Sequence, residues 1–266
     1  MGCPALLKKA SLVGAFFVFG FYSGAALAFC PAPGNLPSVQ VQRVVDGDTL
    51  RLVDGRSVRL IGLNTPELGR QGRSAEPFAE VARKRLQALV AAGDGRVSLQ
   101  LGQQTRDHYG RTLAHVYDSR GRNLEAQLLA EGLGYMVAIA PNLALVDCQQ
   151  SAERGARQAQ LGLWRNPPIR SPGQLQRGGF TLVRARVERV ERNRGGVWLE
   201  LGDSTVLHVA AQALDGFDLR QLQGLAGRRV EARGWLIDRS RRGGLSAGQA
   251  RWMLPLTHAA MLEVLP

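Results

Sequence analysis

Short stretches of alternating apolar and polar residues, separated by glycine, proline and asparagine, constrain the fold of this chain most strongly. Residues 39–53 alternate in this way, and Gly55 marks a turn before a second stretch at 58–63. Because successive side chains of a strand point to opposite faces, this pattern predicts a pair of strands with one buried face. Two further stretches, 97–101 and 112–117, are predicted strands on the same grounds.

Helical periodicity lies between and after these strands. Apolar residues recur at helical spacing within 74–91, and Gly93 ends that segment. A second helix is predicted at 124–131, beginning after Asn123, and a third runs from about 144 to 161. Strands, one helix, further strands and two helices predict an OB-fold barrel of five strands with capping helices. We therefore expect an α+β, mainly β, fold class.

A second unit follows a linker rich in proline. The linker contains Pro167-Pro168 and Ser171-Pro172-Gly173, and the region beyond it has strand-like alternation with almost no helix. Its predicted strands are 182–190, 197–201, 206–209, 229–236 and 252–256. The pattern predicts a second small all-β barrel, OB-like, or a sandwich. We place the two domains at 38–166 and 178–266.

The first 28 residues have the pattern of an export signal. Lys8 and Lys9 precede an apolar run, and Ala26-Leu27-Ala28 supplies a small-x-small cleavage pattern. We predict a signal peptide at 1–28 and a periplasmic or secreted mature protein. The uncharged run at 10–29 is nearly long enough to span a bilayer, so an uncleaved membrane anchor is the alternative.

Cysteine usage is consistent with export. Removal of the signal discards Cys3 and leaves Cys30 and Cys148. Two cysteines in an oxidising compartment are expected to pair, which would tie the mature N-terminus to the third predicted helix. Two unpaired thiols are the alternative.

The net charge of +12 is carried almost wholly by arginine. A basic balance favours a polyanionic partner such as nucleic acid or an anionic membrane surface, and arginine binds phosphate in a bidentate manner. A preference for arginine codons would explain the same composition, so charge alone does not establish the partner.

Four pieces of the chain carry residues suited to phosphodiester chemistry, namely 46–49 (DGDT), Arg59, 64–67 (NTPE) and 107–111 (DHYGR). Two aspartates separated by a single residue on an extended strand would face the same side and approach one ion together. Carboxylate and carbonyl oxygens suit Ca²⁺ or Mg²⁺. Each piece alone has a simpler explanation, since Asp-Gly-Asp is common in turns and a lone arginine or glutamate is usually a solvated charge.

Together, VVDGDTLRL, VRLIGLNTPE and DHYGR resemble the staphylococcal nuclease (thermonuclease) family, over about residues 39–164. The family consists of OB-fold, calcium-dependent phosphodiesterases. The resemblance implies that Asp48 binds Ca²⁺ with Asp46 nearby. It also implies that Asn64 is a metal ligand and that Thr65 contributes its backbone carbonyl.

The resemblance also implies roles for the remaining motif residues. Glu67 would orient or deprotonate the attacking water, and Arg59 and Arg111 would grip the scissile phosphate. Tyr109 would contact a neighbouring phosphate or base. His108, which replaces a lysine of the family pattern, is a second substrate-binding candidate. These assignments make Arg59, Glu67 and Arg111 the predicted catalytic residues.

Besides His108, the chain departs from the family pattern at two further places. Asn64 stands where the pattern has a second aspartate ligand, and we therefore predict weaker calcium binding than a fully acidic site gives. Ala138 and Ala140 replace a pair of tyrosines, which leaves Tyr135 as the nearby aromatic residue. Tyr135 is a candidate for base stacking or, alternatively, for the core.

The sequence predicts an exported calcium-dependent nuclease that hydrolyses DNA, RNA or both with low sequence specificity. We expect a monomer with no obligate protein partner. A non-catalytic nucleic-acid-binding protein on the same fold is the alternative. The second domain carries arginines and tryptophans that would suit nucleic-acid binding or, more simply, an exposed strand face; they include Arg184, Arg186, Arg189, Arg192, Arg194, Trp198, Trp235 and Trp252.

Overall fold

The computed structural model describes residues 30–69, 72, 74–241, 245–246 and 248–266. The predicted signal peptide at 1–28 lies outside these residues. Among the helices of the described residues, none combines the length and apolar character needed to cross a membrane.

A closed barrel forms the first part of the chain, with strand order β1-β2-β3-β6-β5. This confirms the predicted OB-like barrel with helices. Its elements are β1 Ser38–Asp46, β2 Thr49–Leu52, β3 Ser57–Leu60, β4 Leu63–Asn64, α1 Ala79–Ala91, β5 Arg96–Arg106, β6 Thr112–Tyr117, α2 Leu124–Ala130, β7 Tyr135–Met136 and α3 Val146–Gln158. The short strands β4 and β7 pair with each other beside the barrel.

The strand predicted at 39–53 is wrong in one respect that matters for the site. It is two antiparallel strands, β1 and β2, joined by a turn in which Asp46 pairs with Thr49. Alternation continues through the turn because it contains only two residues, so the sequence pattern does not reveal it. Asp46 and Asp48 therefore do not lie on one extended strand; Asp46 ends β1 and Asp48 lies in the turn.

Helix α1 begins five residues later than predicted. Phe78 precedes it with a left-handed φ of 68°, so residues 74–78 do not continue the helix. Phe78 and Val81 are exposed, whereas Leu86 and Leu89 face the core as their spacing predicts. Helix α2 begins after Asn123, whose side chain accepts a hydrogen bond from the Ala126 amide, as the sequence predicts for a cap.

The C-terminal sheet, which we define as the strands that follow residue 168, has the order β10-β11-β12-β14-β13-β9-β8, with β15 on β13. Its strands are β8 Ile169–Arg170, β9 Gly179–Arg186, β10 Arg189–Asn193, β11 Gly196–Glu200, β12 Thr205–Ala210, β13 Arg229–Asp238, β14 Trp252–Pro255 and β15 Leu262–Val264, with a short helix α4 at Leu219–Gln223. This is the predicted strand-rich second region. The predicted linker is partly strand, because β8 pairs with β9.

The barrel and the C-terminal sheet share a packed junction. Tyr135, Trp164 and Leu182 belong to one buried cluster, to which β7, the end of the first region and β9 each contribute. The hydroxyl of Thr257 donates to the Ala138 carbonyl at 2.6 Å. Cys30 and Cys148 form a disulfide with their Cα atoms 5.6 Å apart, as the cysteine count predicts.

Candidate functional site

Asp48 is the buried centre of the candidate site. Its Oδ2 accepts hydrogen bonds from the backbone N–H of Thr65 at 2.8 Å and from the Thr65 hydroxyl at 3.0 Å. Its Oδ1 accepts from the Thr49 hydroxyl at 3.1 Å and pairs with the Arg59 guanidinium. The β1–β2 turn and the loop after β4 are therefore joined through one carboxylate.

Gly47 permits this close approach. A Cβ atom at residue 47 would lie 2.7 Å from the Thr65 hydroxyl oxygen and 2.8 Å from the Cβ of Ala82. Real Cβ atoms do not approach neighbours that closely, so any side chain here would push the turn away from Thr65. The glycine of DGDT is thus required by packing, and it sets the position of Asp48.

Arg59 lies on β3 directly opposite Thr49 of β2. Its Nη2 donates to the Leu63 carbonyl at 3.0 Å and to Asn64 Oδ1 at 3.2 Å. Burial and the positive charge of Arg111 lower the pKa of Arg59 to about 10. The guanidinium therefore stays protonated at neutral pH, held by oxygen atoms on several sides.

Acidic groups near Arg59 partly offset that lowering of its pKa. The charges of Asp46, Glu67 and Asp107 each favour the protonated guanidinium. The pieces at 46–49, 64–67 and 107–111 thus each place a carboxylate within electrostatic reach of Arg59. The Glu67 residue is exposed, and its backbone N–H donates to Glu76 Oε2 at 3.0 Å.

The turn at 107–111 fixes the orientation of the Arg111 side chain. Asp107 Oδ1 accepts from the backbone N–H groups of Tyr109 at 3.0 Å and of Arg111 at 2.9 Å, and Oδ2 accepts from Arg111 Nε at 2.7 Å. Burial opposes the charge on Asp107, but the hydrogen bonds from Arg111 outweigh it and lower the pKa of this carboxyl. Arg111 also lies over the Tyr109 ring, 5.3 Å from its centroid.

Tyr109 and His108 are exposed beside this turn. Tyr109 is 73% exposed, and its ring centroid lies 3.7 Å from that of His108. Both side chains are accessible to a ligand that contacts Arg111. Tyr135, by contrast, is buried between Trp164 and Phe180 and belongs to the core.

The atoms of the candidate site that could bind a metal ion are mostly oxygens. The described residues contain no group of three or more His, Cys, Asp and Glu side chains arranged for a metal. A hard cation could instead draw on the carboxylate of Asp48, the amide oxygen of Asn64 and the carbonyl of Thr65, with Asp46 nearby. The hydrogen bond between Asp48 and the Thr65 amide places these residues side by side, and their oxygen donors are of the kind that such an ion prefers. Asp48 Oδ1 and Asn64 Oδ1 contact the Arg59 guanidinium in this structure.

Strand β7 pairs with β4 and so helps to position Asn64 and the adjoining Thr65. Asn64 of β4 is paired with Tyr135 of β7, and Leu63 with Met136. The Met136 N–H donates to Glu153 Oε1 at 2.7 Å. Arg233 of the C-terminal sheet in turn donates to both Glu153 oxygens, at 2.7 and 2.6 Å, in a buried ion pair.

Sequence reasoning missed three residues of this framework. Asp107 appears in a motif but carries no predicted role, although its acceptance of two backbone N–H groups is a known habit of aspartate in turns. Glu153 lies within a predicted helix, and Arg233 lies 80 residues further along the chain. No local pattern connects that pair, because β13 carries other charged residues besides Arg233.

The arginines of the C-terminal sheet are partly neutralised. Arg184 pairs with Glu231 at 2.7 Å, and Arg189 pairs with Glu200 at 2.6 Å. Trp252 is buried, whereas Trp235 is 39% exposed. These contacts favour a structural role for Arg184 and Arg189 over the predicted nucleic-acid stripe.

Comparison with known proteins agrees with this geometry. The family model described as staphylococcal nuclease homologue matches residues 57–166. The chain is 33% identical to endonuclease YncB of Bacillus subtilis, over 49% of this chain and 63% of the relative. It is 32% identical to the thermonuclease of Staphylococcus intermedius, over 48% and 76% respectively. It is 30% identical to the micrococcal nuclease of Shigella flexneri, over 52% and 79%.

Coverage of the relatives is uneven. The alignment spans 63% of YncB and 45% of the prophage-derived endonuclease YokF of the same organism. The shared part includes Arg59, Asn64 and Arg111, whereas the C-terminal sheet lies outside the matched family model. On the strength of the thermonuclease and micrococcal nuclease matches, the chain belongs to the staphylococcal nuclease family.

Proposed function

We propose that this protein is a calcium-dependent nuclease that hydrolyses phosphodiester bonds of DNA, RNA or both with low sequence specificity. The observation that carries the proposal is the convergence of a second arginine, Arg111, and three carboxylates around Arg59, whose guanidinium also pairs with Asp48. Family membership supports the same activity, since the relatives are named endonucleases and thermonucleases.

The reaction places a water oxygen on phosphorus and breaks one P–O ester bond, whose leaving oxygen takes a proton. Negative charge grows on the non-bridging oxygens during the attack. Arg59 and Arg111 supply fixed positive charge to those oxygens, and removal of one such donor typically costs ~10²–10³ in rate. Because hydrogen bonds from both side chains to the protein are already formed, the guanidiniums need little reorganisation.

Glu67 is the residue assigned to the water. It is exposed and electrostatically coupled to Arg59, so it can accept a proton or orient the nucleophile. Asp48, Asn64 and Thr65 would hold a bound Ca²⁺, which would supply positive charge that polarises the phosphoryl group. Neutral Asn64 lowers the charge of that set, and we propose correspondingly weak calcium binding.

We further propose that the protein acts outside the cytoplasm. The export pattern at 1–28 and the disulfide between Cys30 and Cys148 support this location. Extracytoplasmic calcium would suit a loosely held ion. Expression of the full chain followed by fractionation tests the proposal, and retention of the precursor in the cytoplasm would contradict it.

The activity is tested by digestion of single- and double-stranded DNA and of RNA, with Ca²⁺ and with chelator. We expect cleavage that requires Ca²⁺ and falls at least ~10²-fold in Glu67→Gln and in Arg111→Ala. Arg122→Ala is the matched control, because Arg122 lies in a turn of the same geometry away from the site. Cleavage that survives chelation and both site variants would refute the mechanism.

The same experiment addresses the non-catalytic alternative. If the wild-type protein binds oligonucleotides but leaves them intact under every metal condition, a binding protein on a nuclease fold is the better description. The presence of Asp48, Arg59, Glu67 and Arg111 in one site favours catalysis.

A further inference from the structure

A cleft of about 410 Å³ lies beside the candidate site and shares two residues with it. Arg111 and Tyr109 form part of its lining, and Arg51, Arg56 and Arg106 form another part. Three of these arginines have no role in the catalysis proposed above. The cleft thus extends the positively charged surface beyond the reacting phosphate.

Strand register explains why these arginines lie together. Arg51 of β2 is directly opposite Ser57 of β3. Val58 of β3 is level with Thr112 of β6, which places Arg111 alongside Ser57 on its other side. Adjacent strands are about 4.8 Å apart, so Arg51 and Arg111 flank the small serine with about 10 Å between their backbones. The small side chain leaves room for a cleft between two guanidiniums.

The row continues across the next strand. Arg43 of β1 is directly opposite Arg51, so both side chains project from the same face of the sheet. Directly opposed like charges disfavour strand pairing. An anion lying along the row would offset this repulsion.

Few carboxylates neutralise the cleft. Asp54 lies in its lining but pairs with Arg56 at 2.7 Å. In the described part of the chain, neither Arg51 nor Arg106 forms an ion pair with a carboxylate. Arg106 is exposed and Arg51 is half-buried, so both guanidiniums are accessible from the cleft.

We propose that Arg51 and Arg106 form a second phosphate-binding subsite, which holds the substrate strand one or more nucleotides away from the scissile bond. This inference rests on the proposed function, because the strand enters the cleft from Arg111. Guanidiniums suit phosphate oxygens through paired N–H donors, and successive charges along a nucleic-acid strand match a row of cations. The exposed ring of Tyr109 lies at the junction and offers a stacking surface for the intervening base.

The test measures binding rather than cleavage. In a Glu67→Gln background with Ca²⁺, we compare the affinity of a single-stranded 16-nucleotide DNA with that of a trinucleotide. We expect Arg51→Gln combined with Arg106→Gln to weaken 16-nucleotide binding at least about tenfold and to leave trinucleotide binding nearly unchanged. The salt slope should fall by about 1.4, because each phosphate contact on a single strand contributes about 0.7.

The matched control is Arg154→Gln combined with Arg220→Gln, two exposed arginines on α3 and α4 that remove the same net charge. A loss in the control equal to that in the cleft variant would overturn the subsite, since overall charge would explain both. Binding to vesicles of anionic lipid is measured for the same variants. If the cleft variant binds these vesicles less well but binds DNA as before, the subsite is overturned in favour of a membrane surface. Failure of the wild type to cleave would refute the proposed function, while this binding comparison would still yield a result.

Discussion

Asp107→Asn isolates the aiming of Arg111 from the folding of the turn that carries it. The asparagine Oδ1 can still accept from the backbone N–H groups of Tyr109 and Arg111, as Asp107 Oδ1 does at 3.0 and 2.9 Å. In the wild type, Arg111 Nε donates to Asp107 Oδ2 at 2.7 Å. In the variant, the asparagine Nδ2 takes the place of Oδ2 and faces Arg111 Nε. Two donors cannot hydrogen-bond each other, so the guanidinium loses its anchor while the turn remains.

The size of the effect follows from two contributions. A hydrogen bond to a charged group contributes about 1.5–3 kcal/mol, which sets the expected loss of unfolding free energy. A displacement of about 1 Å at a reacting group costs ~10²-fold in rate. We therefore expect kcat/KM to fall about 10²-fold, which corresponds to about 2.7 kcal/mol of transition-state stabilisation. Complete removal of Arg111 sets the upper limit.

A second turn of the same chain supplies the control. Asp118 accepts from the N–H groups of Arg120 and Arg122, both at 2.9 Å, and from Arg122 Nε at 2.8 Å. Asp118→Asn thus removes the same kind of contact at the opposite end of β6. Urea unfolding and hydrolysis of single-stranded DNA are measured for both variants. We expect similar losses of stability in the two, and a loss of activity only for Asp107→Asn.

Wild-type activity in both variants would refute the reasoning. It would mean that Arg111 finds the phosphate without Asp107, or that Arg111 does not contact the phosphate at all. Arg111→Ala distinguishes these outcomes, because it abolishes the contact however the side chain is oriented. A loss of activity in Asp118→Asn equal to that in Asp107→Asn would instead attribute both to stability.

Three further perturbations have defined outcomes. Arg233→Met leaves Glu153 buried without its partner, and we expect about 3–5 kcal/mol of destabilisation in urea, partly recovered by adding Glu153→Gln. Asn64→Asp should tighten calcium binding measured by calorimetry, and unchanged affinity would argue that residue 64 is not a ligand. Cys148→Ser should lower the unfolding free energy by about 2–5 kcal/mol, and a reductant should destabilise the wild type to match, with no further effect on the variant.

The barrel, and the proximity of Arg59 to the turn at 46–49, could be predicted from the sequence because their contacts are local in the sheet. Arg59 lies opposite Thr49 through one hairpin, and the alternation of apolar residues specifies which face is buried. The geometry of the motif at 46–49 was not accessible, because a two-residue turn leaves the alternation intact and is indistinguishable from a continuing strand by pattern alone.

The turn at 107–111 illustrates a different limit. Both 107–111 and 118–122 have the pattern Asp-x-x-Gly-Arg, and their glycines have left-handed φ values of 76° and 71°. Each aspartate makes the same set of hydrogen bonds to its turn. The pattern therefore encodes a turn and says nothing about function. Function comes from the end of β6 to which the turn is attached, and that is a property of the assembled barrel.

The C-terminal sheet helps to position the site, and this too is a property of the assembled fold that no local sequence pattern shows. Arg233 offsets the charge of buried Glu153, and Glu153 holds the N–H of Met136 in β7. Strand β7 pairs with β4, which carries Asn64 at its end and leads directly into Thr65. Without Arg233 the buried carboxylate would lose its charged partner, and the strand that positions the two metal-binding candidates would lose a fixed acceptor. The sheet thus acts on the site through a continuous series of contacts, even where its arginines do not touch the substrate.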